Sequence, residues 1–364
     1  MKKIFLYAYS INNLGDDLFI LSILRRYPKT KILLRKNNFS TAPFQAHKNF
    51  ITIKEENLFT KIAKQIRPSF AARLRNYQES RCEVTVYIGG SIFIEYDHWA
   101  TILTWWDYVA RHRKFYVLGA NFGPWHTEEY LKKLDIIFSN MQDVCFRDRY
   151  SKALFLDNSK VRYAPDILLG YPMPKAQIED KRAFISLIDC ESKDEGDNQL
   201  SGFDKTYVDS MAKLTQWLID RDWKVVLSSF CKAEGDEKGV QKVLKKLKDA
   251  SSVEIKNYDG TNMDEILCEM AKASIIYGSR FHAVILGFAA RRPVVPIIYS
   301  DKTTRVLEDL HFSGKTFDLR KFDDKSGLRM AEAALHLDCQ FLSEADRYAK
   351  QSEDHFLVLD RVLK

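Results

Sequence analysis

The chain has 364 residues, 46% hydrophobic and 29% charged, enough for about two domains with substantial cores. Its net charge of +7 is spread along the sequence, too weak and diffuse for a nucleic-acid partner. Six cysteines stand without C-x-x-C spacing, so neither a zinc site nor a disulfide framework is expected, and the usage fits a reducing cytoplasm.

Residues 3–9 read as a strand. Tyr7, Tyr9 and Ser10 interrupt its apolar run and no small-residue cleavage site follows, so a signal peptide is not expected. No run approaches the roughly 18 apolar residues of a membrane span. Strand-like bursts follow at 31–35, 84–88, 114–118, 143–146 and 160–163. Helical segments at 16–26, 60–77, 99–111 and 128–141 alternate with them, as in parallel α/β architecture. Residues 170–175, with Pro172 and Pro174, break the pattern and read as an interdomain linker. The alternation restarts with strands at 182–187, 224–229, 253–255, 274–277 and 293–298 around a helix at 206–220, and the tail reads as mostly helical. The expected domains are therefore 1–172 and 178–326, followed by a helical tail, 327–364.

In open parallel sheets, ligands gather past the carboxyl ends of strands, and the candidate motifs lie there. Asn13-Leu14-Gly15-Asp16-Asp17 follows the first strand. One aspartate caps a helix, and the other is left to accept a proton or hold a sugar hydroxyl. Gly89-Gly90-Ser91 lets backbone approach a ligand, but lacks the G-x-G-x-x-G spacing of a dinucleotide site. Gly119 to Pro124 shapes a turn. In Arg147-Asp148-Arg149 the arginines fall on one side of an extended segment, with an internal salt bridge as the plainer explanation. Asp166 can cap, pair or act as a base. Gly278-Ser279-Arg280-Phe281-His282-Ala283 joins a strand to a helix. Helix-start N–H groups, a guanidinium and an imidazole there suit an anion and proton transfer. Lys302, past the next strand, adds positive charge.

Three further features have structural explanations of equal or greater weight. The basic segment 58–81 reads as a helix with a solvated face or as a contact with anionic lipid. Trp99, Trp105 and Trp106 read as core packing ahead of sugar stacking. Cys231 has no identifiable partner for nucleophilic work.

Taken in order, Asn13-x-Gly15-Asp16-Asp17, Gly89-Gly90, Gly119-x-x-x-Gly123-Pro124, Arg147-Asp148-x-x-Ser151, Pro165-Asp166 and Gly278-x-Arg280-x-His282-Ala283 resemble the polysaccharide pyruvyl transferase family over residues 1–305. The resemblance implies two Rossmann-like domains facing a cleft, similar to the two-domain glycosyltransferase B architecture. It also implies transfer of pyruvate from phosphoenolpyruvate onto two sugar hydroxyls as a cyclic ketal, with Arg280 and His282 handling the donor.

The assignments that follow are His282, Asp16 and Asp17 as catalytic groups. Arg280, Ser279, Gly278, Lys302, Arg147, Asn13, Gly89 and Gly90 are assigned to substrate. No metal or cofactor is expected beside the donor. The first domain is the acceptor side and the second the phosphoenolpyruvate side. The acceptor is a saccharide of a cell-surface polysaccharide, free or lipid-linked. The protein is then cytoplasmic, with residues 58–81 available for peripheral contact at the inner membrane face. Two alternatives stay open: a nucleotide-sugar glycosyltransferase on the same architecture, and a non-catalytic subunit of a polysaccharide assembly complex.

Overall fold

The structure, a computed structural model, describes residues 2–36, 40–54, 79, 81–194, 199–333 and 340–364. It divides into two compact units. The first comprises Met1–Ile11, Asp16–Ala164 and Asp354–Lys364, and the second Asn12–Gly15 and Pro165–Glu353.

The first unit contains β1 (Lys3–Ala8), β2 (Lys31–Lys36), β3 (Phe50–Lys54), β4 (Val84–Ile88), β5 (Ser91–Phe93), β6 (Phe115–Phe122), β7 (Asp143–Phe146) and β8 (Val161–Tyr163). They form a parallel sheet of order β3-β2-β1-β4-β6-β7-β8, with β5 beside β6. Strand β6, FYVLGANF, is buried at every residue, as a central strand covered on both faces requires. The helices are α1 (Leu14–Arg26), α2 (Trp99–His112), α3 (Glu128–Asn140) and α4 (Arg149–Ala153). Helix α1 carries Asp16 and Asp17 in its first turn and Arg25 and Arg26 in its last, each sign matching the helix dipole. Trp106 packs edge-on against Phe93 with ring centroids 4.9 Å apart, in a core shared with Phe122, Phe138 and Phe146. Core packing is therefore the role of that tryptophan.

The second unit contains β9 (Arg182–Ser186), β10 (Lys224–Ser228), β11 (Val253–Ile255), β12 (Ile275–Gly278), β13 (Val294–Ile298) and β14 (Phe317–Asp318). They form a parallel sheet of order β11-β10-β9-β12-β13-β14. Its helices are α5 (Asp204–Ile219), α6 (Asp236–Leu244), α7 (Met263–Lys272), α8 (Phe281–Ala289), α9 (Asp301–Asp309), α10 (Ser326–Ala333) and α11 (Gln340–Ser352). Tyr207, Met211, Leu214 and Leu218 share one face of α5 at helical spacing and join Ala183, Ile185 and Val225 in the core. In α8 every residue but His282 is buried. Gly287 brings this helix close to β13: a Cβ there would lie 2.6 Å from Val294 Cγ2.

Two domain expectations need correction. Residues 170–175 are not the boundary, because the chain changes unit between Ala164 and Pro165. Asp166 instead caps a 3-10 turn, Ile167–Gly170, by accepting from Leu168 N at 2.9 Å. That turn packs on α11, where a Cβ on Gly170 would lie 2.5 Å from Ser352 Oγ. The tail is not one separate piece either. Helices α10 and α11 belong to the second unit, whereas α12 (Leu357–Leu363) belongs to the first. There Asp360 accepts from Arg26 at 2.9 and 2.7 Å and from the Tyr27 hydroxyl at 2.7 Å. Most of the basic segment 58–81 lies outside the described residues.

Candidate functional site

In the second unit the chain leaves β12 at Gly278 and enters α8 at Phe281. Gly278 allows this tight reversal, since a Cβ there would lie 2.8 Å from Val284 Cγ2. Ser279 is 2% exposed. Its hydroxyl shares a 2.8 Å hydrogen bond with that of Tyr207, and its N–H donates to Ser186 O at 3.2 Å. Gly278 and Ser279 therefore build the turn, and the serine hydroxyl is already engaged within it.

Arg280 departs most from expectation. Rather than offering an open fork to an anion, it is 8% exposed and held by the chain's own carboxylates. Nε donates to Asp236 Oδ2 at 2.6 Å and Nη2 to Asp236 Oδ1 at 2.5 Å, while Nη1 donates to Glu234 Oε2 at 2.6 Å. A guanidinium at this depth requires such partners, because desolvation of an uncompensated charge costs more than the fold can bear.

Lys193 Nζ also donates to Glu234 Oε2, at 2.5 Å, and lies 3.8 Å from Asp236. Two cations thus face two anions. Burial works to raise the Glu234 carboxyl, but Arg280 and Lys193 overcome it and hold the group well below the ordinary range. Burial raises Asp236, although Arg280 opposes this. Burial would lower Arg280, yet Asp236 and Glu234 keep it protonated, well above its ordinary value. Asp236 also accepts from Phe230 N and Cys231 N at 3.3 and 3.0 Å, which closes the loop after β10. Burial pushes the Cys231 thiol up to about 12, so this cysteine is no nucleophile near neutral pH.

The segment Asn12–Gly15 joins this network. Asn13 Nδ2 donates to Glu234 Oε1 at 3.2 Å, and Asn13 Oδ1 accepts from Gly15 N at 3.1 Å. Leu14 N donates to Phe230 O at 3.0 Å, and Asn13 forms an antiparallel bridge with Cys231. Gly15 is the seat of His282. A Cβ on Gly15 would lie 1.7 Å from His282 Nδ1, so only glycine fits beneath the ring. The half-buried imidazole also meets the Phe281 ring edge-on at 5.2 Å. Lys302 lies half-buried in the first turn of α9.

The first unit brings three further motifs together. Arg147, 2% exposed, lies against Gly90, where a Cβ would be 2.5 Å from Nη2. Its Nη2 donates to Asn121 Oδ1 at 2.6 Å, and the same oxygen accepts from Ser91 Oγ at 3.3 Å. Arg147 is consequently a support beneath the Gly89–Gly90 turn, not an exposed anion ligand. Gly89 adopts φ +153°. Asp148 caps α4 through Ser151 N at 2.7 Å and accepts from Ser151 Oγ at 2.8 Å. Arg149 does not share a side with Arg147, because it opens α4 and lies over the Tyr163 ring at 4.5 Å.

The paired aspartates separate by burial: Asp17 is 0% exposed and Asp16 9%. Burial first, and then the charge of Asp16, push the Tyr87 phenol up to about 12. Asp17 faces the interior, so Asp16 is the better candidate for chemistry.

Sequence reading gave no role to Glu234, Asp236 or Lys193. Two acids flanking Gly235 just past a strand were the available signal. Nothing in the sequence around Lys193 announced its partners. Among the described residues no group of three His, Cys, Asp or Glu could hold a metal ion. No described helix is long and apolar enough to cross a membrane.

Comparison with solved structures supports two Rossmann-like domains of the glycosyltransferase B kind. The chain resembles S. aureus MnaA with UDP, at TM-score 0.62 and 11% identity, covering 100% of this chain and 95% of that one. It resembles Anabaena HepE in complex with UDP-glucose, at TM-score 0.59 and 12% identity, covering 100% and 98%. It also resembles UDP-GlcNAc 2-epimerase from Neisseria meningitidis bound to UDP-GlcNAc, at TM-score 0.58 and 11% identity, covering 100% of each. At such identities the likeness is one of fold. No curated protein matches the sequence. The polysaccharide pyruvyl transferase family model matches residues 11–301, from just before the Asn13 segment to just past the Arg280 turn, and the chain belongs to that family.

Proposed function

We propose that this protein transfers pyruvate from phosphoenolpyruvate onto two hydroxyls of a saccharide, forming a cyclic ketal. The observation that carries the reading is the family match over residues 11–301, which takes in every motif assembled around Arg280 and His282. The local chemistry agrees with it. Lys193 and Arg280 supply positive charge, and His282, half-buried in the first turn of α8 two residues past Arg280, is an imidazole of the kind that moves protons near neutral pH.

In this scheme His282 delivers a proton to the donor's methylene carbon, leaving positive character at C2. The first sugar hydroxyl forms a C–O bond there and gives up its proton. Phosphate then departs with the electrons of the C2–O bond. The second hydroxyl closes the ring and releases its own proton. Asp16, in the first unit, is the proposed base for the acceptor. The acceptor belongs to a cell-surface polysaccharide or its lipid-linked precursor.

The test is release of inorganic phosphate from phosphoenolpyruvate, dependent on added saccharide, with the ketal detected by mass spectrometry. His282→Ala should lower turnover by about 10²- to 10⁴-fold, the usual range for a general acid. Full turnover in that variant would remove His282 from the scheme. A second reading rests on the fold shared with proteins holding UDP-sugars. It predicts consumption of a nucleotide sugar and indifference to phosphoenolpyruvate.

A further inference from the structure

The Glu234 carboxylate is gripped as a bound ligand would be. Its Oε2 accepts from Lys193 Nζ at 2.5 Å and from Arg280 Nη1 at 2.6 Å, and its Oε1 accepts from Asn13 Nδ2 at 3.2 Å. These three donors come from three separate segments of the chain: the turn before α1, the loop after β9 and the turn before α8. Converging donors of this kind form a recognition site for a planar carboxylate.

The two acids that meet Arg280 are not equivalent. Asp236 has a side chain 0% exposed, holds Arg280 in a fork, and accepts two backbone N–H groups. Glu234 has a side chain 25% exposed. Gly235, at φ +82°, stands between them and turns the backbone. Removing Asp236 would strand a buried cation. Removing Glu234 would open one edge of Arg280 and the ammonium of Lys193 together.

We infer that Glu234 is an internal placeholder, occupying the seat that the carboxylate of the anionic donor takes when it binds. The inference rests on the pyruvyl transfer reading for the identity of that donor. Phosphoenolpyruvate displaces Glu234 toward solvent and takes the bonds from Lys193, Arg280 Nη1 and Asn13. Asp236 stays in place throughout and keeps Arg280 aimed. An internal competitor lowers apparent affinity in proportion to the time it holds the seat. It also keeps two neighbouring cations neutralised while the donor is absent.

The experiment is calorimetric titration of the full-length wild type, Glu234→Gln and Lys193→Met with phosphoenolpyruvate, pyruvate and inorganic phosphate. The placeholder predicts that Glu234→Gln binds phosphoenolpyruvate and pyruvate about tenfold more tightly than the wild type. Lys193→Met should bind both about tenfold more weakly. Equal or weaker binding of both carboxylates by Glu234→Gln overturns the inference, and so does a gain confined to phosphate. Unchanged or tighter binding by Lys193→Met also overturns it, and this arm decides alone should Glu234→Gln fail to fold. A wild type and a Glu234→Gln variant that both ignore phosphoenolpyruvate would refute the pyruvyl reading. The placeholder is then decided by pyruvate, whose gain in Glu234→Gln supports it and whose absence overturns it.

Discussion

Arg147 and Arg280 are both buried arginines just past a strand of a parallel sheet, yet they are accommodated differently. Arg280 is matched by charge, with Asp236 bidentate and Glu234 on the remaining edge. Arg147 lies under a glycine that leaves no room for a Cβ, and its Nη2 donates to the amide oxygen of Asn121. The contrast separates two tasks. A cation caged by acids is held at fixed charge and orientation, and can be shared with an incoming anion. A cation packed beneath a glycine turn supports that turn's backbone.

The largest effect that could break this contrast is expected at Asp236. Asp236→Ala removes both bonds of a buried pair and should cost about 3–5 kcal/mol, read by denaturant unfolding. A loss below about 1 kcal/mol would mean that Arg280 does not depend on its charge partner. Gly15→Ala comes next, because a Cβ 1.7 Å from His282 Nδ1 must move the ring. We expect about 1–3 kcal/mol of destabilisation and, from misplacement of the imidazole by an ångström or so, about a hundredfold loss of turnover. Retained turnover would show that the position of His282 is immaterial. Gly90→Ala should cost a similar 1–3 kcal/mol through the clash with Arg147, read by denaturant unfolding.

Acid sharpens the comparison more gently. Burial favours raising the Asp360 carboxyl, but Arg26, Lys364 and Tyr27 hold it at about 2. An unfolded aspartate titrates near 3.9, so the folded value is depressed. Its stabilising contribution is complete above about pH 4 and is lost as pH falls through 2. Hydrogen exchange in α12 should accelerate over that window, and an Asp360→Asn protein should show no such step. The smallest effect is the control. A Cβ on Gly202 would meet no atom within 4 Å, so Gly202→Ala should leave the melting temperature within about a degree.

Much of the architecture was readable because parallel strands buried on both faces are continuous apolar runs. Strands β4, β7 and β11 fall where expected, and most others within a residue or two. Strands β3, β5 and β14 escaped, being short or at an edge and lacking strong periodicity. Site prediction fared differently by residue type. Glycine positions were informative, since Gly15, Gly90 and Gly278 each permit a close approach. Arg280 was recognised as important but given the wrong posture. A guanidinium's anionic partner is fixed by tertiary packing, and Glu234 and Asp236 lie more than 40 residues away in sequence. Burial likewise separated Asp17 from Asp16, which adjacency in sequence could not do.

The division of the chain into units has a practical consequence for dissecting this protein. The polypeptide passes from one unit to the other after Ile11, Gly15, Ala164 and Glu353. A fragment 165–353 would carry Lys193, Glu234, Asp236, Arg280 and His282, yet it would lack Asn13 and Gly15. Expressed alone, that piece would present an imidazole without its floor and a glutamate without its amide partner. Ligand measurements on the isolated half would therefore describe a different set of contacts from the one in the intact chain.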